Sequence, residues 1–181
     1  MAILKIAKMG HPVLLQRAAE IDDPTAPDVQ ALIEDMFETM EDAQGLGLAA
    51  PQVHVAKRLV VFHVPGDESE TPSPRVLINP VITPLSDDMH LSWEGRLSVP
   101  GLRGRVPRFD KIRYTGMDET GAPVDVTAEG MHARVVQHEC DHLDGRLYPT
   151  RMIDLADLVF ESEWRYHLPL EQEDEEEDYD E

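Results

Sequence analysis

Cysteine is nearly absent: Cys140 is the only one in 181 residues. No intrachain disulfide can form, and a reducing, cytoplasmic setting is the expectation. Long apolar runs are missing too. None approaches the roughly 18 residues that span a bilayer, so no membrane partner is expected. Residues 1–14 are broken by Lys5, Lys8 and His11 and lack a small-residue cleavage site, which argues against a secretory signal. Positive charge is scarce, with 16 Lys and Arg against 36 Asp and Glu and a net charge of −20. Phosphate recognition needs clustered cations, so nucleic acid is not an expected partner. There is no internal repeat. Nine of the acidic residues fall in 171–181, where no basic residue occurs. Such a stretch repels itself and has little to bury. We therefore expect one domain over 1–168 and an unfolded acidic tail over 169–181.

What is present is an ordinary globular pattern. Residues 3–6 could form a short strand. From Asp28, a candidate N-cap, the positions Val29, Leu32, Ile33, Met36, Phe37 and Met40 recur at three-and-four spacing and predict a helix to about Ala43, closed by Gly45. Residues 58–64 read as a buried strand and 65–74 as a polar surface loop. Residues 76–83 hold a second strand broken at Pro80. Residues 111–117 and 124–128 flank a turn and predict a hairpin. A helix is expected over 131–143, ended by Asp144-Gly145, and a short closing helix from Met152, Leu155, Leu158 and Val159. Strands mostly precede the second helix and connect as hairpins. The fold class expected is α+β, with largely antiparallel sheets around a central helix.

That helix carries Gln137-His138-Glu139-Cys140-Asp141-His142. Residues four apart share a helix face, so His138 and His142 can offer two imidazoles to one divalent ion. Glu139 could then accept a proton from a metal-bound water. The bland alternative is a surface helix with solvated histidines. A third ligand, an oxyanion stabiliser and a pocket would decide between them.

A second stretch, Gly45-Leu46-Gly47-Leu48-Ala49-Ala50-Pro51-Gln52, formally fits G-x-G-x-x-A. The dinucleotide fingerprint follows a strand and opens a helix, whereas this stretch follows a helix and meets Pro51. It reads better as a tight loop that lets backbone approach a ligand, with Gln52 as the polar group at its end.

Together these segments resemble the signature motifs of the peptide deformylase family. Gly45 to Gln52 matches G-x-G-L-A-A-x-Q, and Gln137 to His142 matches Q-H-E-x-D-H. Glu94-Gly95-Arg96-Leu97-Ser98 is similar to E-G-C-L-S with one change. The resemblance runs from about Ile3 to Phe160 and implies the deformylase fold around the H-E-x-x-H helix. It also implies hydrolysis of the formyl group from N-formyl-methionyl peptides or nascent chains. The roles it implies are His138 and His142 as metal ligands and Glu139 as base, with the Gln52 amide and the Leu97 backbone N–H on the oxyanion. Gly45, Gly47, Leu48, Arg103, Met131 and Arg134 would be substrate-binding. The metal implied is divalent iron, nickel or zinc. A general zinc peptidase would share H-E-x-x-H but has no need of the G-x-G-L-A-A loop.

The one change is Arg96, at the position of the family's cysteine ligand. A guanidinium carries +1, has only N–H donors and does not deprotonate, so it cannot replace a thiolate. Cys140 lies about 200° round the helix from His138 and should be a buried apolar residue. His90 and Glu94 would share a strand face with Arg96, but Glu94 is in the matched motif, where the resemblance implies a supporting partner and not a ligand. Two arrangements stay open. Arg96 turns inward, pairs with Glu139 and takes the metal's place, or it turns outward and leaves a two-histidine site completed by water. Deformylase activity is expected to be strongly reduced or lost. The alternative is a metal-free protein that binds formylated or other peptide N-termini.

Overall fold

The structure, a computed structural model, describes residues 2–64 and 73–167, and only the backbone of Ser73 and Arg96. The expected tail over 169–181 and most of the expected 65–74 loop lie outside the described residues.

The strand β2 (Leu59–Val64) shows how the molecule is layered. Its first four residues, Leu59, Val60, Val61 and Phe62, are all buried. Alternate strand residues point to opposite faces, so a continuous apolar run needs cover on both. One cover is the helix α1 (Pro27–Asp42), which packs Val29, Ile33, Met36 and Met40 against Leu59 and Val61. The other is α2 (Gly130–Leu143), which packs Ala133, Val136, Cys140 and Leu143 against Val60, Phe62 and Leu77. The helix α1 begins at Pro27 behind Ala26, without a side-chain cap. Asp28 is therefore in its first turn, not its N-cap. Gln44, at φ 53°, and not Gly45, takes the left-handed conformation after the helix.

The sheet containing β2 has five antiparallel strands in the order β1-β2-β3-β6-β7. These are β1 (Gly47–Ala49), β2, β3 (Ser73–Pro84), β6 (Lys111–Met117) and β7 (Pro123–Glu129). The last two form the expected hairpin. The break expected at Pro80 is a register shift between Ile78 and Val81 within one longer strand. A second sheet has the order β4-β5-β8, from β4 (Met89–Arg96), β5 (Val99–Phe109) and β8 (Leu158–Phe160). The helix α2 lies between the sheets, and every residue from Ala133 to Leu143 is buried.

Two expected elements are corrected. Residues 3–6 form no strand, because their segment is held by single bonds to other parts of the chain. Leu4 N–H donates to Thr39 Oγ1 at 2.9 Å, Ala7 N–H to Gln52 O at 2.7 Å and Met9 N–H to Ser98 O at 2.8 Å. The closing helix is instead two short 3-10 turns, Tyr148–Arg151 and Leu155–Asp157, followed by β8. Leu158–Phe160 is extended because it pairs with Leu102–Gly104.

Leu77 is fully buried in the layer between the five-stranded sheet and α2. Leu77→Ala is expected to lower the unfolding free energy by about 2–5 kcal/mol, read from the midpoint of urea denaturation.

Candidate active site

Three faces of α2 do different work. Ala133, Val136, Cys140 and Leu143 face the five-stranded sheet. Arg134, His138 and Asp141 meet the β4-β5 sheet. His138 and His142 lie one turn apart, their rings edge to face with centroids 5.1 Å apart.

The carboxylate of Glu94 on β4 joins these parts. Its Oε2 accepts from His138 Nδ1 at 2.6 Å and from Arg108 Nη2 at 3.0 Å. Its Oε1 accepts from Arg108 Nε at 3.0 Å and from Arg134 Nη1 at 2.8 Å. Burial alone would raise the Glu94 pKa. The hydrogen bonds and charges of His138 and Arg108 outweigh it and hold the carboxyl far below the usual carboxylate range. An ionised carboxylate only accepts, so His138 holds a proton on Nδ1, and whenever the ring is neutral its lone pair is on Nε2. Arg108 continues the network, donating from Nη1 to Asp141 Oδ2 at 2.5 Å. Asp141 also accepts from Arg151 at 2.6 and 3.1 Å. Gln137 ties the same helix to β5, accepting from Phe109 N–H at 3.0 Å and donating to Phe109 O at 2.8 Å.

Glu139 is fully buried beside β1. A Cβ added at Gly47 would lie 2.5 Å from Glu139 Oε1 and 2.7 Å from its Cγ, so only glycine lets this backbone approach the carboxylate. Gln52 sits in the 3-10 turn Ala50–Val53 that follows β1. Its Oε1 accepts from Ala49 N–H at 2.8 Å, and its Nε2 donates to Ser98 Oγ at 3.1 Å. The amide is thereby oriented between β1 and the β4–β5 turn, where Leu97 lies.

A cleft of about 740 Å³ opens between the two sheets. Gly45, Gly47, Leu97, Arg103, Met131 and Arg134 line it, as does Glu94. Met131 is 53% exposed at its mouth. Arg134 is buried and also donates to Val106 O at 3.1 Å and His90 O at 2.5 Å, so its guanidinium serves the Glu94 network. Leu48 is fully buried in the core under α1 and is absent from the cleft lining. Among residues the sequence reading missed, Arg108 and Arg151 matter most. No local pattern marks them. Their one signal is the buried carboxylates, Glu94 and Asp141, that require cations.

The donor set does not fit an ion held by three protein ligands. Among the described residues, no three His, Cys, Asp or Glu side chains converge as a metal site. Cys140 faces the five-stranded sheet, and burial pushes its thiol far up. Glu94 is fully engaged by its four hydrogen bonds. The family's cysteine position is the last residue of β4, Arg96, whose backbone pairs with Val99. Its inward or outward orientation lies outside the described residues.

Two antiparallel sheets enclosing a helix with H-E-x-x-H, beside a cleft between them, form a hydrolase scaffold. The family model described as polypeptide deformylase matches residues 3–157. Peptide deformylase 1 of Bordetella pertussis is 57% identical over 155 residues, covering 83% of this chain and 88% of that protein. Peptide deformylase 1 of Nitrosomonas europaea is 50% identical over 157 residues, covering 84% and 89%. The crystal structure of peptide deformylase from Ehrlichia chaffeensis superposes with a TM-score of 0.78 at 34% identity, covering 86% of this chain and 90% of that one. The Synechococcus elongatus enzyme in complex with actinonin gives 0.78 at 36% identity, covering 85% and 81%. The chain belongs to the peptide deformylase family.

Glu94→Gln is expected to cost about 3–5 kcal/mol at neutral pH, because it leaves buried guanidinium groups short of a counter-charge. A carboxyl with a depressed folded pKa contributes fully above its unfolded value, about 4.3, and loses that contribution as pH falls below it. The gap between wild type and Glu94→Gln, read from denaturant curves, should stay level above that pH and narrow below it.

Proposed function

We infer that this chain binds formyl-methionyl peptide N-termini in a deformylase cleft and hydrolyses the formyl group far more slowly than a three-ligand enzyme would. One observation carries the reading. Among the described residues no three His, Cys, Asp or Glu side chains form a group that could hold a metal, and the third position of the motif is Arg96. An ion held by two histidines alone is held weakly. An arginine beside it adds like charge.

Peptide binding is supported by the sheet edges. Among the described residues, β1 pairs only with β2, and β4 pairs only with β5. Gly45 and Gly47 next to one edge, and Trp93, Glu94 and Gly95 on the other, line the same cleft. An extended peptide can lie between two such edges and use their backbone groups. The Gln52 amide and the Leu97 N–H would then meet its formyl oxygen, with Glu139 as the proton acceptor. These groups depend on Gly47, Ser98 and backbone, none of which involves a third ligand. Binding can therefore outlast the loss of hydrolysis. That supports the metal-free binder as the limiting form of this reading, with no resident metal at all.

The deciding comparison is wild type against Arg96→Cys, both supplied with divalent iron, nickel or zinc. The substitution is expected to bring bound metal to about one ion per chain and to raise formyl-methionyl peptide hydrolysis by at least ~100-fold, since a lost ligand should exceed the 10–100-fold worth of a partner behind one. Metal is read by elemental analysis and hydrolysis by release of formate. Stoichiometric metal and rapid turnover in wild type would refute the reading. In the Arg96→Cys background, Gly47→Ala should displace Glu139 and remove at least ~10-fold of the regained rate while bound metal persists.

A further inference from the structure

Arg103 is not alone in the cleft wall. The chain after β8 turns into a 3-10 segment, Glu161–His167, which runs along the three-stranded sheet. Glu161 lines the cleft and accepts from Arg103 Nε at 3.0 Å and Nη2 at 2.6 Å. The Trp164 ring lies 4.1 Å from Arg103 Cζ, within reach of a cation–π contact. His167 packs edge to face on Trp93, another cleft residue, with centroids 5.6 Å apart. The segment thus fixes where the Arg103 charge sits and places an opposite charge beside it.

Stability does not explain this pair. The side chains of Arg103 and Glu161 are 29% and 54% exposed, and ion pairs as open as this add little. The segment is already anchored by the β8 ladder and by Trp164. The effect of the pair is on the field in the cleft. A lone guanidinium there would draw acidic residues of a bound peptide and repel basic ones. With Glu161 against it, the wall is close to neutral.

We propose that Glu161 is a specificity-determining residue: it cancels the Arg103 charge, so that peptides with acidic or basic residues downstream of the first are accepted alike. This rests on the reading that the cleft takes formyl-methionyl peptides. A chain acting on many different N-termini would need such indifference.

The test is binding of fluorescent formyl-methionyl tetrapeptides to the full-length protein, with Glu or Lys placed at each downstream position in turn. Wild type should separate the acidic and basic members of each pair by less than about twofold, whereas Glu161→Gln should favour the acidic one by about three- to tenfold, falling in high salt. Glu161→Asp should restore indifference, and Arg103→Gln combined with Glu161→Gln should abolish the acidic preference. A purely structural role for Glu161 would weaken both peptides equally. If Glu161→Gln binds without discrimination, the proposal is overturned while the peptide-binding reading stands. If no formyl-methionyl peptide binds to wild type or variants, both fall.

Discussion

A single buried carboxylate holds the two halves of this protein in register. Glu94 comes from β4, Arg108 from the neighbouring strand β5, and His138 and Arg134 from α2. Taking a carboxylate out of water is costly, and its attraction to one cation would barely offset that. Four hydrogen bonds on two oxygens change the balance by leaving no lone-pair direction unused. The same bonds make the arrangement exacting. A shift of α2 by one residue would turn Arg134 and His138 away from β4 and strand the charges of Glu94 and Arg108 in a dry interior. The network therefore specifies how the helix lies on the second sheet, whereas apolar packing against the first sheet is more tolerant. It also sets the His138 tautomer, so packing geometry and site chemistry have the same origin.

This bears on Arg96. The groups that orient His138, Glu139 and Gln52 are Glu94, Gly47, Ala49 and Ser98. None of these contacts passes through the end of β4. Among the described residues, no three His, Cys, Asp or Glu side chains form a group that could hold a metal. A substitution at that position tests the donor alone.

Much of this was legible in the sequence because it was local. Helix spacing put His138 and His142 on one face and Cys140 behind them, and β2 showed its two-sided burial in an unbroken apolar run. The G-x-G-L-A-A loop announced a close backbone approach, which became the Gly47–Glu139 contact. What could not be read depended on distant pairing. The strand β5 contains Pro100, Gly101, Gly104 and Pro107 and does not look like a strand. It is one because β4 and β8 pair with it on either side. Arg108 belongs to that strand and was invisible with it. Arg134 was read as substrate-binding, because nothing local says which carboxylate a buried arginine meets. Leu48 was read from its motif as a substrate contact, yet the short strand β1 turns its side chain into the core.

The arrangement of edges gives the cleft its direction. An open strand edge is a hazard, and proteins normally cover it. Here β8 covers the far edge of β5 with a three-residue ladder. Among the described residues, the edge left to the three-stranded sheet is β4, whose Trp93, Glu94 and Gly95 line the cleft, as does Gly47 of the edge strand β1. The segment Glu161–His167 reaches the cleft through side chains, Glu161 on Arg103 and His167 on Trp93. Backbone edges can recognise any extended peptide, because every residue carries the same N–H and C=O. On the peptide-binding reading, selection comes from side chains at the walls, and the Arg103 guanidinium, matched by the Glu161 carboxylate, exerts little of it. On that reading, low sequence discrimination follows from the same topology that, among the described residues, leaves these edges unpaired.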